Sequence, residues 1–292
     1  MDWTPYAHAG DKTMKPAPFQ MHTPQSQGEI LLLLDQYGED ARILAGGQTL
    51  IPALAMRVAS PEHLIDINRV SELKRIQIEK NTLHVGAGVR QTELETWDRL
   101  SSVQPLLKKM FPWIAHAPIR NRGTVCGSIA HADPSAELVL ALAVLGGSVM
   151  LASKKSIRTV KAGDFFIGAL QTSREANELI VGVQFPIHPD DAGFGFSEYG
   201  YRHGDFAVVS VAVVKTNADW AIGFGGIDDT VKVFHTTANS LDEVEKFIEN
   251  LVVTIDVRED PTATSGLRRH LMRTLGRQAC RQAMEMRRMS MP

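Results

Sequence analysis

Two glycine-rich stretches constrain this chain more than any other feature. The first is Ala45-Gly46-Gly47-Gln48-Thr49-Leu50-Ile51-Pro52. The second, roughly seventy residues later, is Gly123-Thr124-Val125-Cys126-Gly127-Ser128-Ile129-Ala130-His131-Ala132-Asp133-Pro134. Each reads as a loop that follows apolar, strand-like sequence and exposes consecutive backbone N–H groups with little side chain in the way. Such a stretch can form a concave nest for an anionic phosphate oxygen. Two nests can clamp a pyrophosphate from both sides, so the pattern points to a dinucleotide cofactor.

The glycine spacing removes the commonest dinucleotide and nucleotide sites. No Gly-x-Gly-x-x-Gly opens a helix after a strand, and no Gly-x-x-x-x-Gly-Lys-Ser/Thr occurs, so neither a Rossmann site nor a phosphate loop is supported. His-Glu-x-x-His and Gly-x-Ser-x-Gly are also missing, which leaves zinc peptidase and α/β-hydrolase readings without an anchor. A lone Gly-Gly reads as a tight strand–helix turn. Here Thr49, Thr124 and Ser128 add hydroxyls beside the glycines, and Gln48, Asn121 and Glu137 can address ribose or ribityl hydroxyls. His131 and Asp133 are two potential metal ligands without a third. His131 reads as a pocket-wall residue and Asp133 as a helix N-cap. No metal ligand is assigned.

The chain has 292 residues, a length that favours two domains. Its net charge of −2 gives no global field for nucleic acid. The longest apolar run, around Leu138 to Gly147, is about half the roughly 20 residues of a membrane span, and no N-terminal segment joins a basic start, an apolar centre and a small-residue cleavage site, so secretion is not expected. Cys126 and Cys280 are the only cysteines, too few for a four-thiolate cluster. A reducing cytoplasm is the expected compartment. Met1–Thr13 is polar and aperiodic, a disordered leader or tag.

Coarse periodicity places the motifs. Ser26-x-x-Glu29 opens a helix that Gly38 stops. Strands follow at 41–45 and 63–67, and Pro52–Val58 starts a second helix. Residues 76–79 and 82–85 alternate across Lys80-Asn81, a hairpin signature. Ser135–Leu145 is an apolar helix. Pro, Asp and Gly concentrate at 186–193, a domain boundary. Beyond it come four strand-like segments and two helices. The last helix carries Leu267, Leu271, Leu275, Ala279 and Ala283 as an apolar stripe. Arg268, Arg269, Arg273, Arg277, Arg281, Arg287 and Arg288 form its basic, solvated face.

Taken with Tyr201-Arg202-His203-Gly204-Asp205-Phe206-Ala207, the two glycine stretches resemble the FAD-binding medium subunit of molybdenum hydroxylases, the group of xanthine dehydrogenase and carbon monoxide dehydrogenase. The resemblance runs from about Met14 to Met286. It implies an α+β fold: a two-lobed FAD-binding domain (PCMH/VAO-like) over 14–187, with lobes at about 14–70 and 71–187, then a small sheet-plus-helix C-terminal domain over 193–287. The cofactor-binding residues it implies are Ile43, Leu44, Ala45, Gly46, Gly47, Gln48, Thr49 and Leu50 at the first nest. Thr124, Cys126, Gly127 and Ser128 belong to the second, joined by Ile119, Ala130, Glu137 and Phe206 around the flavin. Arg202 and Asp205 would order the loop that carries Phe206, or form a plain ion pair. Cys126 stands where the group commonly has glycine, so its backbone must avoid φ > 0. Arg174 stands near a position often held by a leucine packed on the flavin.

The implied function is electron transfer, with no catalytic acid or base in this chain. FAD, held non-covalently, would pass electrons from the [2Fe–2S] clusters of a small subunit to NAD⁺, oxygen or a quinone. A large molybdenum-cofactor subunit would complete a heterotrimer, itself dimerised. The alternatives are a free-standing FAD-dependent oxidoreductase of the same fold and a scaffold that has lost flavin.

Overall fold

The computed structural model describes residues 15–217 and 219–290. The leader expected over Met1–Thr13 lies outside the described residues. The first sheet is parallel, in the order β1 (Gln20–His22), β3 (His63–Asp66), β2 (Ala41–Leu44). Helix α1 (Gln27–Tyr37) makes the crossover from β1 to β2. Ser26 caps it by accepting from the Glu29 N–H at 3.2 Å. The Glu29 carboxylate accepts from the Gln25 N–H, one residue before the position a capping box prescribes. Gly38 ends the helix at φ +48°.

The second sheet is antiparallel: β4 (Ile76–Glu79), β5 (Thr82–Gly86), β10 (Leu179–Pro186), β6 (Ser148–Ala152), β7 (Ile157–Lys161). Lys80 and Asn81 both take positive φ, as a two-residue hairpin turn requires. Between β7 and β10 runs a short hairpin, β8 (Phe166–Gly168) with β9 (Gln171–Thr172). Short helices α2 (Leu50–Ala55), α3 (Gln91–Glu95), α4 (Leu100–Val103), α5 (Pro105–Met110), α6 (Ala117–Arg120), α7 (Val125–His131), α8 (Glu137–Val144) and α9 (Ala162–Phe165) fill the connections. Pro105 opens α5, where its missing N–H costs nothing.

Two expectations fail here. The second glycine stretch is not an open loop: Val125–His131 is helical, and Ala132 closes it at φ +55°. Asp133 does not cap α8, which starts at Glu137 behind Ala136. Its carboxylate accepts from the Ser135 N–H at 2.8 Å and shapes the turn between the helices.

The third sheet is a meander of β11 (Gly193–Tyr199), β12 (Val209–Lys215), β13 (Trp220–Gly225) and β14 (Lys232–Thr236). α10 (Leu241–Thr254) and α11 (Ser265–Ser290) follow. α11 lies tight on β11. A Cβ on Gly193 or Gly195 would fall 1.9 Å from the Ala283 carbonyl oxygen or 1.8 Å from that of Ala279, so only glycine fits. Val209, Val211 and Val213 join the core under α10 and α11. The other side of the sheet, with Phe194, Phe196, Ala212 and Val214, joins the core built on α5 and α8.

Leu271, Leu275, Ala279 and Ala283 are buried, as their spacing requires. Arg273, Arg277 and Arg281 pair with Glu249 and Glu245 of α10. Arg268 departs from the expected solvated face. It is 1% exposed and donates to the carbonyls of Gly226 at 3.0 Å and Ala263 at 2.6 Å and to Asp260 at 2.9 Å. The side chain of Arg288 lies outside the described residues. Among the described residues no helix is long and apolar enough to cross a membrane.

Candidate flavin site

The first glycine stretch leaves β2 and turns into α2. Gly47 takes φ +75° at the turn, a conformation glycine adopts without strain. The Ile51 N–H bonds to the Gly47 carbonyl and the Ala53 N–H to that of Thr49. Among the described residues the N–H groups of Gly46, Gly47, Gln48, Thr49 and Leu50 donate to no protein group. Five consecutive free donors at a helix start form a ready anion cradle.

The second stretch lies directly against it. A Cβ on Gly46 would sit 2.6 Å from the Arg122 carbonyl oxygen, 2.7 Å from the Gly123 Cα and 3.0 Å from the Thr124 nitrogen. The Gly123 carbonyl accepts from the Gln91 N–H, and the Val125 N–H bonds to Val89. That bridge fixes the segment entering α7, and among the described residues the Thr124 and Cys126 N–H groups have no acceptor. Thr124 is buried and caps α7 by accepting from the Gly127 N–H at 2.9 Å. Its hydroxyl oxygen is therefore committed to the helix. A Cβ on Gly127 would come within 2.7 Å of that oxygen.

Cys126 takes no positive φ. It sits in α7 with its thiol turned into the core, donating weakly to the Val85 carbonyl at 3.6 Å. Burial pushes that thiol up to about 12, so it is inert filler. Gly127 and Ser128 are half-buried on the same helix, and Ala130 is exposed. Ile43 and Ala45 flank the cradle half-buried, whereas Leu44 is buried beneath it. Gln48 folds back to donate to the Gly46 carbonyl at 3.3 Å. Asn121 accepts from the Thr92 hydroxyl.

The third motif forms a turn held at several points. The Asp205 N–H donates to the Arg202 carbonyl, and the Val208 N–H to that of Tyr199. Tyr201 donates its hydroxyl to the Thr262 carbonyl at 2.6 Å. Gly204, at φ +87°, lies so close to Ala115 and His116 that a Cβ would reach 2.8 Å from the His116 ring. The turn thus rests on the segment entering α6, which carries the exposed Ile119. Phe206 is 59% exposed. No ion pair joins Arg202 to Asp205 among the described residues, so Arg202 orders the turn through its carbonyl. Arg174 turns onto its own bend, donating to the carbonyls of Glu175 and Glu178 at 2.8 Å. Its guanidinium is held below the ordinary range by burial, then by Arg42.

Two groups escape the sequence reading. Arg90 donates to the Arg122 carbonyl and to Asn68, and Asn68 donates to the Ala45 carbonyl at 2.9 Å. This bridge ties the two glycine stretches together, and nothing about Arg90 in sequence announces it. Glu198 is the other: it lies buried near Glu137, which is itself 5% exposed at the start of α8. Its place on β11 reads as an ordinary polar position.

The chain matches the FAD binding domain in molybdopterin dehydrogenase over residues 17–188. The caffeine dehydrogenase subunit beta of Pseudomonas sp. (strain CBB1) is 36% identical over 215 residues, 73% of either chain. The carbon monoxide dehydrogenase medium chain of Hydrogenophaga pseudoflava is 37% identical over 201 residues, covering 69% of this chain and 70% of that one. Among solved structures, a chain of carbon monoxide dehydrogenase from H. pseudoflava superposes with a TM-score of 0.87 at 30% identity, over 93% of this chain and 99% of that one. A chain of quinoline 2-oxidoreductase from Pseudomonas putida 86 gives 0.86 at 30% identity, over 95% and 100%. The matched domain, the two abutting glycine stretches and the fold agree: the chain belongs to the FAD-binding medium subunits of molybdenum hydroxylases, an oxidoreductase component whose cofactor is FAD.

Proposed function

We propose that this chain holds one FAD non-covalently and relays electrons from the [2Fe–2S] clusters of a small partner subunit to NAD⁺, oxygen or a quinone. A large molybdenum-cofactor subunit would hydroxylate the substrate, and the heterotrimer would dimerise. The observation that carries this reading is the contact of Gly46 with Gly123 and Thr124. It brings free N–H groups from both glycine stretches to one place.

In this reading the N–H groups of Gly46 to Leu50 face one phosphate, and those of Thr124 and Cys126, with the Ser128 hydroxyl, face the other. Backbone dipoles neutralise the pyrophosphate without any proton having to move. Ile43, Leu44 and Ala45 set the approach to the cradle, and Gly127 keeps α7 closely capped. Ala130, Ile119 and Phe206 offer apolar surface to the isoalloxazine, and Glu137 a polar contact. FAD supplies the redox chemistry, accepting electrons singly and releasing two. Residues 14–187 form the flavin domain, with lobes at about 14–70 and 71–187, and 193–287 the C-terminal domain that closes its edge.

The test is direct. The purified chain should show flavin absorbance and release FAD on denaturation, and it should copurify with iron–sulfur and molybdenum subunits. A colourless chain that takes up no added FAD would make it a scaffold. A chain that oxidises NAD(P)H alone on a substrate of its own would make it a free-standing flavoprotein.

A further inference from the structure

Glu198 follows Phe194 and Phe196 onto the side of the third sheet that meets α5 and α8. It is 9% exposed, and its Oε2 atom has no hydrogen-bond partner among the described residues. Ser210 stands opposite it on β12, fully buried, with its hydroxyl oxygen also unpartnered. Glu137 stands in the first turn of α8, which packs on β12 and β13, close enough to act electrostatically on Glu198.

Among the described residues no cation pairs with these carboxyls. Lys108 and Lys109 of α5 are on its exposed side, and Lys108 donates to the Glu95 carbonyl. On this side β12 and β13 present Ala212, Gly223 and Gly225. α11 covers the other side, where Gln282 donates to Ser197. The turn before α8 adds another acid, Asp133. Two carboxylates enclosed together without a counter-charge cannot both ionise near neutrality. Burial, then Glu137, pushes Glu198 up to about 9. Burial, helped by Asp133, pushes Glu137 up to about 7.

We propose that Glu198 and Glu137 form a proton-holding carboxyl pair in the wall of the flavin site, with Glu198 kept as a neutral acid so that the wall offers a hydrogen-bond donor in place of a second negative charge. A carboxylic acid held neutral in an apolar enclosure can act as such a donor at pH 7. The pair's place at the cofactor rests on the flavin reading above. The proton on Glu198 does not.

Two measurements on the full chain separate these. Infrared spectra of the flavin-free protein from pH 6 to 10 should show the carbonyl stretch of a protonated, buried carboxyl persisting at pH 8, above the range where Glu137 ionises, and Glu198→Gln should remove it there. FAD affinity, read by fluorescence quenching, should fall about tenfold or more between pH 7 and pH 10. In Glu198→Gln, whose amide donates at every pH, it should change by less than about threefold. Wild type without a protonated-carboxyl band at pH 8, or a band at pH 8 that survives Glu198→Gln, overturns the proposal. A band lost in the variant together with pH-independent FAD affinity removes the pair from the flavin wall. Failure to bind FAD at all refutes the flavin reading and leaves the carbonyl band to decide the proton on Glu198.

Discussion

Replacing Gly46 by alanine tests the clamp at its tightest point. The added Cβ would meet the Arg122 oxygen at 2.6 Å, the Gly123 Cα at 2.7 Å and the Thr124 nitrogen at 3.0 Å. All three are backbone atoms, so no side-chain rotation relieves the clash. The two stretches must separate, at the cost of overpacking a close contact, about 1–3 kcal/mol. The melting temperature should fall by roughly 2–4 °C for each kcal/mol. If the two sets of N–H groups act on one pyrophosphate, a comparable loss appears in binding, about fivefold to about 150-fold in FAD affinity. Calorimetric melting of the flavin-free chain and FAD titration report the two losses separately. Gly163→Ala is the control. Its Cβ would meet nothing within 4 Å, its φ is not positive, and it lies within α9. It should leave affinity unchanged and stabilise by about 0.5–1 kcal/mol. The reasoning is refuted if Gly46→Ala melts and binds like wild type.

Other substitutions probe the remaining devices. Arg268→Ala strips several buried acceptors of their donor and should cost about 3–5 kcal/mol, seen as a lower urea midpoint; a loss under about 1 kcal/mol would contradict the burial. Neither cysteine should react with a thiol reagent in the native chain, because burial pushes both Cys126 and Cys280 up to about 12; both should react once urea unfolds it, and native labelling of Cys126 would show that its thiol, and not only its N–H, faces the nest. The raised carboxyls also set a pH trend. Their folded values exceed the unfolded ones, so the protons are bound more tightly in the native state. Their stabilisation is full below about pH 4.5 and is lost as pH rises through about 7 and about 9. Urea midpoints should fall over that window and flatten in Glu198→Gln; an equal slope in the variant would assign the trend elsewhere.

Much of this architecture was legible where local chemistry decides conformation. Lys80-Asn81 between alternating segments could only turn tightly, and the four-residue spacing from Leu271 to Ala283 could only face a core. The second glycine stretch misled because glycine and β-branched residues weigh against helix. Its helix exists because Thr124 caps it and Ile129 and Cys126 are buried by distant strands. Likewise, Arg268 shares the repeat of its neighbours but meets the Gly226 and Ala263 carbonyls, which no spacing along α11 reveals. Arg90 and Glu198 were unreadable for the same reason: their partners come from other elements, and their importance lies in what encloses them.

The Arg90–Asn68 bridge spans elements that fold from separate stretches of chain. The first supplies its donors from the parallel layer, the second from the helix behind the antiparallel sheet. If the two stretches clamp FAD as proposed, neither layer alone has a complete cradle, and a chain that stalls with one layer assembled has nowhere to bind its cofactor. Cofactor uptake would then act as an inspection of the finished fold. Occupancy at a hundred times the dissociation constant would add about 2.7 kcal/mol to the native state alone, deepening the gap between chains that have docked their layers and chains that have not. In a cell, yellow colour would mark the molecules fit to join partners.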